Sequence, residues 1–249
     1  MKYLTLTAFF FVFEASYSQD FVMHAHNDYL NERPLFGALE NGFNSIEVDI
    51  YQYQGELKVS HLGMNLGSKP TLSELYLEPL EKYLSSNSET SIWLLIDLKQ
   101  DDRNLLDLLH EKIDEKGQWF KSRKSKEARP IQIILSGAVQ RRLIEENVSY
   151  EYFYLDGRIR HLEERNWDSE LMPLISANFK KVVSWNGKGE MKSKDQARIV
   201  ELVMRANAQG KKLRFWRTKD NATTWAKLNE LGVPVVGTDD MAGLASYLK

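Results

Sequence analysis

Short apolar runs alternate with longer amphipathic stretches along most of the chain. Repeated alternation of this kind is typical of βα units arranged around a parallel sheet. Most of the apolar runs lack polar/apolar alternation through their centres, as expected for strands buried on both faces. The eight predicted strands are residues 21–26, 45–51, 91–99, 131–136, 152–157, 181–185, 212–218 and 235–238. The pattern predicts an α/β protein, a TIM-like (β/α)8 barrel forming a single domain.

Capping residues mark three of the helices between these strands, residues 34–41, 71–84 and 221–231. The second begins at Thr71 with Glu74 three residues later, the spacing of a capping box. A further short extended run, residues 56–61, follows the Gln54-Gly55 turn. It predicts a hairpin after the second barrel strand, which returns His61 toward the same end of the barrel.

Length and composition fit one such domain. The chain has 249 residues, of which 43% are hydrophobic and 27% are charged, so disorder is not expected. The formal net charge of -2 gives no large field of one sign for holding nucleic acid or an anionic membrane, so a small or neutral-surfaced substrate fits better. Cysteine is absent, which excludes disulfides, thiolate metal sites and a cysteine nucleophile.

The N-terminus has the pattern of a cleavable signal peptide. Met1-Lys2 precedes an apolar run over residues 3–13, and Ser16 and Ser18 supply small residues before a cut. We therefore expect a signal peptide over residues 1–18, a mature domain over residues 19–249, and secretion or export to a periplasm. A buried first helix or a membrane anchor is the alternative. No later segment approaches about 18 uninterrupted apolar residues, so no stable membrane span is predicted in the mature form.

Polar residues at strand ends are the candidates for function, because sites in such barrels gather at the carboxyl ends of the strands. His24 and His26 end the first strand and share one face, and Asn27 follows them. Glu47 and Asp49 lie two apart in an otherwise apolar second strand, so both project to one side.

Two buried carboxylates without a cation would force one to take up a proton, and a divalent metal resolves this conflict. Two separate salt bridges to basic neighbours are the alternative. His61 becomes a second candidate proton-transfer group. Asp97 and Lys99 end the third strand. Asp97 could be a further carboxylate ligand of the metal, with Lys99 binding a phosphate oxygen, or the two could form an internal ion pair. With Asn27 the ligand set is entirely oxygen, which favours Ca²⁺ or Mg²⁺ over zinc.

In combination these residues resemble a known superfamily. The order His26-Asn27, Glu47-Val48-Asp49, His61 and a carboxylate ending strand three is similar to the catalytic half of phosphatidylinositol-specific phospholipases C and glycerophosphodiester phosphodiesterases. Residues 24–29, with Pro34-Leu35 and Gly42, more closely resemble the yeast "altered inheritance of mitochondria" protein 6-like group. The motif match covers roughly residues 22–99. Beyond it, residues 215–218 and 237–240 resemble glycerophosphodiesterases.

The resemblance implies a metal-dependent phosphoric diester hydrolase of lipid metabolism, and the N-terminal pattern adds the expectation of export. It implies that His26 and His61 form the acid/base pair. Asn27, Glu47, Asp49 and Asp97 would bind one divalent cation, and Lys99 would lie near the phosphate. His24 has no fixed role in the wider superfamily, and it is expected either to contact the substrate or to support the metal site. Trp216, near a strand end, is a further candidate for substrate binding. The substrate would be a small or lipid-head-group phosphodiester, cleaved by water or through a cyclic phosphate. Glycerophosphodiesterases usually carry Arg-Gly where this chain has Asn27-Asp28, which leaves the particular diester open.

Two other functions fit parts of the pattern. Amidohydrolase barrels also use a His-x-His pair on strand one, but they need further histidines, and only His110 and His161 remain here. An exported barrel that binds a ligand or metal without turnover is the second alternative, although it would not require both histidines and all the carboxylates.

Overall fold

The computed structural model describes residues 21–87, 90–164 and 167–248, so the predicted signal peptide lies outside the described residues. Within these described residues, nine strands form one sheet. They are β1 (Val22–Ala25), β2 (Ser45–Tyr53), β3 (Glu56–Val59), β4 (Ile92–Leu98), β5 (Ile131–Gly137), β6 (Phe153–Gly157), β7 (Leu174–Asn178), β8 (Lys212–Trp216) and β9 (Val235–Thr238).

The sheet closes into a barrel of eight parallel strands, and the predicted fold is confirmed. Its order is β1-β2-β4-β5-β6-β7-β8-β9, and β1 closes the ring by pairing with both β2 and β9. Strand β3 stands outside this ring, because it pairs antiparallel with β2. The turn between them has positive φ at both Gln54 and Gly55, as the type I′ turn of a two-residue hairpin requires. The predicted hairpin is therefore also confirmed.

Helices cover the outside of the barrel. They are α1 (Phe36–Glu40), α2 (Glu78–Leu84), α3 (Arg103–Asp114), α4 (Arg141–Glu146), α5 (Phe179–Val182), α6 (Ser193–Ala208), α7 (Ala222–Glu230) and α8 (Met241–Tyr247). A π-helical turn, Ser73–Leu77, leads into α2. The predicted capping box is formed at the start of this turn. There the Thr71 N–H donates to Glu74 Oε2 (2.7 Å) and the Glu74 N–H to Thr71 Oγ1 (3.2 Å). None of the described helices is long and apolar enough to cross a membrane.

One predicted strand was wrong. The sequence favoured residues 181–185, where Val182 and Val183 are β-branched, but the barrel strand is β7 and the helix α5 follows it directly. Within β7, Ser176 and Ala177 carry little β-propensity of their own. Ser176 is nevertheless fully buried, because its hydroxyl accepts a 3.0 Å hydrogen bond from Arg214 Nε of β8. A contact between distant segments therefore outweighs the local preference.

The barrel interior is divided into two layers. At the amino ends of the strands it is filled by apolar side chains, Val22, Trp93, Leu95, Ile134, Tyr154, Leu174 and Val235. Because side chains alternate between the two faces of a strand, the residues two positions farther along point into the same interior. These are His24, Asp97, Ser136, Asp156, Ser176 and Gly237. The interior thus changes from apolar to polar toward the carboxyl ends, where TIM-barrel sites lie.

Candidate metal and acid/base site

Three carboxylates meet at the carboxyl ends of β2 and β4. The two strands are parallel neighbours, and their register places Asp49 beside Asp97. One oxygen from each of Glu47, Asp49 and Asp97 lies within 4.8 Å of the others. Glu47 is 4% exposed and Asp49 is completely buried. Three carboxylates this close in a poorly solvated space repel one another unless cations neutralise them.

The two oxygens of Asp49 differ sharply. Oδ2 receives the Tyr29 hydroxyl at 2.7 Å, His61 Nδ1 at 2.9 Å and Lys99 Nζ at 2.9 Å. Oδ1 is buried and has no hydrogen-bond partner in the part of the chain that the structure describes. A buried carboxylate oxygen without a partner is unusual and calls for one. Oδ1 is therefore the atom through which Asp49 would contact a cation.

The Asp97 carboxyl takes up a proton more readily than a free aspartate. Lys99 Nζ lies 3.4 Å from Asp97 Oδ1. Burial, opposed by the Lys99 ammonium and reinforced by the charges of Asp49 and Glu47, raises the pKa of the Asp97 carboxyl to about 6. The ligand atoms of the site are all oxygen, and its three carboxylates outnumber the adjacent cations Lys99 and Arg214. Such a site fits a hard divalent cation. The residues present therefore suit the metal that the sequence predicted.

Glu47 has a strong basic partner that the sequence analysis missed. Arg214 Nη1 of β8 lies 2.5 Å from Glu47 Oε2, and both side chains are nearly inaccessible to solvent. Burial by itself raises the pKa of Glu47, but the Arg214 guanidinium and the His24 hydrogen bond outweigh it and hold that pKa well below its usual value. The signal in the sequence was a lone charge between Leu213 and Phe215 in an apolar strand. The salt bridge that the sequence left open as an alternative is therefore present at Glu47. The three carboxylates nevertheless still lie close enough together to share a cation.

His24 lies beneath this group rather than at its surface. It is 1% exposed, with Nε2 2.7 Å from Glu47 Oε2 and Nδ1 2.8 Å from Ser45 Oγ. Burial, with the Arg214 charge, lowers the pKa of His24 to about 4, so its ring is neutral. Both ring nitrogens contact protein atoms. The position suits support of Glu47, and the ring also lines the cavity shared by His26 and Trp216.

His26 and Asp239 form a second pair on the rim. His26 Nδ1 lies 2.7 Å from Asp239 Oδ1 at the end of β9, another partner that the sequence analysis did not assign. Burial lowers the pKa of His26, but the Asp239 hydrogen bond and the charges of Glu47 and Asp239 outweigh burial and raise it overall. The ring lines a cavity of about 140 Å³ shared with Trp216. The Arg217 guanidinium lies 5.4 Å from the centre of the Trp216 ring.

The remaining predicted residues border the same carboxylates. His61 approaches Asp49 through Nδ1, and its side chain is 54% exposed. The backbone of Asn27 is in the left-handed region, with a φ of 49°. Its side-chain Oδ1 lies 3.2 Å from the Tyr29 hydroxyl, which also donates to Asp49. The structure therefore brings Asn27, Glu47, Asp49, His61, Asp97 and Lys99 to one rim, with His26 and Trp216 on the adjoining cavity.

The two other candidate histidines lie elsewhere. His110 packs against Tyr150 and Phe153, with ring centroids 5.7 and 6.0 Å apart. His161 is buried after β6 beside Arg158. Among the described residues, the carboxylate trio is the one group of three or more histidines or carboxylates close enough to share a metal. A histidine-rich amidohydrolase centre is not what this arrangement provides.

Comparison with known protein families gives a match to a phosphodiesterase domain. The sequence model of the AIM6-like phosphodiesterase domain matches residues 18–92, a range that contains His26, Glu47, Asp49 and His61. The chain resembles the AIM6-like phosphodiesterases. The resemblance predicted from the sequence is thereby confirmed, and the match supports a phosphodiesterase.

The curated relatives carry the name altered inheritance of mitochondria protein 6. The protein from Eremothecium gossypii is 24% identical over 270 residues, covering 90% of this chain and 69% of the relative. The homologue from Arthroderma benhamiae is 23% identical over 268 residues, covering 90% of this chain and 83% of the relative. The protein from Saccharomyces cerevisiae strain S288c is 28% identical over 247 residues, covering 82% of this chain and 62% of the relative.

Several solved structures of similar fold are phosphodiesterases. A glycerophosphodiester phosphodiesterase from Parabacteroides distasonis has a TM-score of 0.62 and 16% identity, covering 92% of this chain and 97% of that one. The enzyme from Agrobacterium tumefaciens has a TM-score of 0.59 and 14% identity, covering 92% and 99%. A phosphodiesterase from Oleispira antarctica, in complex with the product sn-glycerol-3-phosphate, has a TM-score of 0.54 and 12% identity, covering 92% and 96%. At these identities the likeness shows the fold.

Proposed function

We propose that this protein is a metal-dependent phosphoric diester hydrolase in which two histidines act as general acid and base. The observation that carries the proposal is the unpartnered Oδ1 of Asp49, buried within the carboxylate trio and flanked by His61 on the same carboxylate. Glu47, Asp49 and Asp97, with the amide oxygen of Asn27, would hold Ca²⁺ or Mg²⁺. When bound, the cation would withdraw charge from a non-bridging phosphate oxygen.

His26 suits the general acid. The hydrogen bond to Asp239 orients its ring, and the raised pKa keeps it protonated in a larger fraction of molecules at neutral pH than a free histidine. A protonated imidazole can deliver its proton to the leaving alkoxide. His61 is exposed and is fixed through Nδ1 against Asp49, which leaves Nε2 to take a proton from the nucleophile.

Lys99 and the cavity beside His26 would bind the substrate. The Lys99 ammonium is bonded to both Asp49 and Asp97 and lies at the edge of the trio, where it can contact a phosphate oxygen. Trp216 and Arg217 line the cavity and would contact the alcohol portion of the diester. The complex of the Oleispira antarctica phosphodiesterase with its product sn-glycerol-3-phosphate supports a small phosphodiester as substrate. Water or a substrate hydroxyl could be the nucleophile, the latter giving a cyclic phosphate.

Export is part of the proposal. The signal-peptide pattern over residues 1–18 supports secretion or periplasmic targeting, with residues 19–249 as the mature domain. Amino-terminal sequencing of the protein recovered outside the cytoplasm would show whether the chain starts at Gln19.

The decisive experiment is hydrolysis of bis(p-nitrophenyl) phosphate and of glycerophosphodiesters by residues 19–249, with and without a chelator. We expect hydrolysis that stops with the chelator and returns with Ca²⁺ or Mg²⁺. His26→Ala and His61→Ala should each lower turnover by about 10²–10⁴-fold. His110→Gln, a histidine remote from the carboxylates, is the control. Phosphorus NMR of the products distinguishes hydrolysis from cyclisation. Absence of metal-dependent turnover on every diester would favour a non-catalytic binding barrel.

A further inference from the structure

A group of basic side chains lies on the same rim of the barrel, away from the carboxylates. Its members, called here the arginine cluster, are Arg141, Arg142, Arg160 and His161. The first two begin α4, which three residues separate from the end of β5, and the last two follow β6. Because parallel strands end at one edge of a barrel, the cluster opens on the same face as the candidate site. It surrounds an open cleft of about 540 Å³.

Only one strand separates the cluster from the carboxylates. Asp97 of β4 is aligned with Ser136 of β5. Ser136 Oγ in turn lies 3.2 Å from Nη2 of Arg158, which precedes Arg160 of the cluster by two residues. Neighbouring strands are about 4.8 Å apart. One small molecule could therefore reach both places.

The positive charge of the cluster is poorly compensated. Arg141 donates to backbone carbonyls, at 2.9 Å to the oxygen of Asp156 and at 3.4 Å to that of Val139, which do not neutralise it. Arg142 is exposed and forms no ion pair with another described residue. Arg160 Nε lies 3.7 Å from Glu164, a long contact. Cations therefore outnumber carboxylates among the described side chains that line the cleft.

His161 gives an independent indication that an acceptor belongs here. Its ring is 4% exposed, and Nδ1 accepts the Arg158 backbone N–H at 2.9 Å, so a neutral ring carries its proton on Nε2. The nearest partner of Nε2 is Arg160 Nε at 3.4 Å, which is itself a donor. Burial, with the charges of Arg141, Arg160 and Arg158, lowers the pKa of His161 to about 4 and keeps the ring neutral. The two N–H groups thus face each other, and among the described residues the long 3.7 Å contact to Glu164 Oε1 is the one ion pair of Arg160.

We propose that the arginine cluster binds an oxyanion carried by the substrate, so that the preferred diester bears a second phosphate, sulfate or carboxylate. An anionic oxygen between His161 and Arg160 would accept from both facing donors, and Arg142 would supply a further charge-assisted contact. Planar guanidinium groups suit such oxyanions. The assignment of the anion to the substrate rests on the proposed function; the binding of an oxyanion does not.

Binding is tested without turnover. Inorganic phosphate is titrated into residues 19–249 while the ¹H–¹⁵N imidazole signals are followed by NMR, with His161 assigned from His161→Gln. We expect a saturable shift at His161 in the wild type and an apparent Kd at least about tenfold higher in Arg142→Gln/Arg160→Gln. Arg198→Gln, an exposed arginine of α6 paired with Glu201, is the matched control and should bind as the wild type does. No shift at His161, or an unchanged Kd in the double variant, would overturn the site.

Kinetics then identify the source of the anion. Two diesters with the same leaving group are compared, one with an additional phosphomonoester and one without. The double variant should raise KM for the first by about tenfold, leave its kcat nearly unchanged and leave the second diester unaffected. Equal effects on both diesters, with phosphate binding lost, would show that the cluster takes a free anion and would overturn its assignment to the substrate. Loss of phosphate binding with no turnover of any diester would instead retain the anion site and reject the proposed function.

Discussion

The Tyr29 hydroxyl donates a 2.7 Å hydrogen bond to Oδ2 of Asp49. The same hydroxyl lies 3.2 Å from Asn27 Oδ1 and 3.3 Å from His61 Nδ1. One side chain from the loop after β1 therefore contacts three residues that the sequence assigned to the site. Burial, together with the Asp49 carboxylate, raises the pKa of Tyr29, so the phenol keeps its proton and remains a donor.

Replacing Tyr29 by phenylalanine removes this donor and leaves the ring in place. Asp49 Oδ2 would keep Lys99 and His61, but Asn27 and His61 would lose their common contact. Because a hydrogen bond to a charged group contributes about 1.5–3 kcal/mol, we expect a loss of that size in the free energy of unfolding and at least about tenfold slower turnover. Urea unfolding and diester kinetics measure the two effects. Tyr247→Phe, at the exposed end of α8, is the control, and equal behaviour of the two variants would contradict a role for Tyr29.

Arg214 makes a different kind of contribution, because it is a buried charge paired with Glu47. Removing one partner of a buried ion pair leaves the other uncompensated, at a cost of about 3–5 kcal/mol. We expect Arg214→Met to lower the free energy of unfolding by this amount and Glu47→Gln/Arg214→Met to recover part of it. The exposed pair formed by Arg198 and Glu201 gives the comparison, since Arg198→Met should cost less than about 1 kcal/mol. A double variant no more stable than Arg214→Met would show that the guanidinium acts through packing.

Residues close together in the sequence were the predictable part of the site. His24 with His26, Glu47 with Asp49, and Asp97 with Lys99 are each two positions apart, and strand periodicity alone places each pair on one face. The barrel followed from buried apolar runs in the same way. Agreement was poorest where the local sequence is weakly β-forming, as in β7.

Partners supplied by distant strands were not predictable. Glu47 and Arg214 are 167 residues apart, and His26 and Asp239 are 213 residues apart. Their meeting depends on closure of the barrel between β1 and its two neighbours, which periodicity does not specify. The same closure places His24 beside Glu47 and Ser45.

Gly137 at the end of β5 leaves room for Asp97. Its φ is +72°, and a Cβ built there would overlap Oδ1 of Asp97 and lie 2.5 Å from the Leu98 carbonyl oxygen. Gly189 has a φ of +61° with nothing within 4 Å of a Cβ, so Gly189→Ala carries the backbone strain alone. We expect Gly137→Ala to cost about 1–3 kcal/mol more than Gly189→Ala and to weaken metal binding, because Asp97 must move. Thermal unfolding and metal calorimetry compare them. Equal losses in the two variants would mean that Asp97 adjusts freely.

His161 gives the chain a defined response to acid. Its pKa is lowered from 6.5 to about 4 in the folded protein, so between these values the unfolded chain binds more protons than the folded one. The stability contributed by the neutral ring is complete above pH 6.5 and is lost as the pH falls toward 4. We expect the free energy of unfolding of the wild type to fall by about 1–3 kcal/mol more than that of His161→Gln over this interval. Urea unfolding at several pH values tests the difference, and parallel curves would contradict it.

A cation held by the carboxylate trio should stabilise the folded chain by mass action. At about 100 times its Kd, a ligand that binds only the folded state adds about 2.7 kcal/mol, which for a chain of this size raises Tm by about 5–10 °C. We expect Ca²⁺ or Mg²⁺ to produce such a shift, and Asp97→Asn to abolish most of it, because the trio loses one charged oxygen donor. Asp114→Asn, an exposed carboxylate at the end of α3, should leave the shift intact. A full shift in Asp97→Asn would mean that the cation binds elsewhere, and the lone Oδ1 of Asp49 would then need another partner.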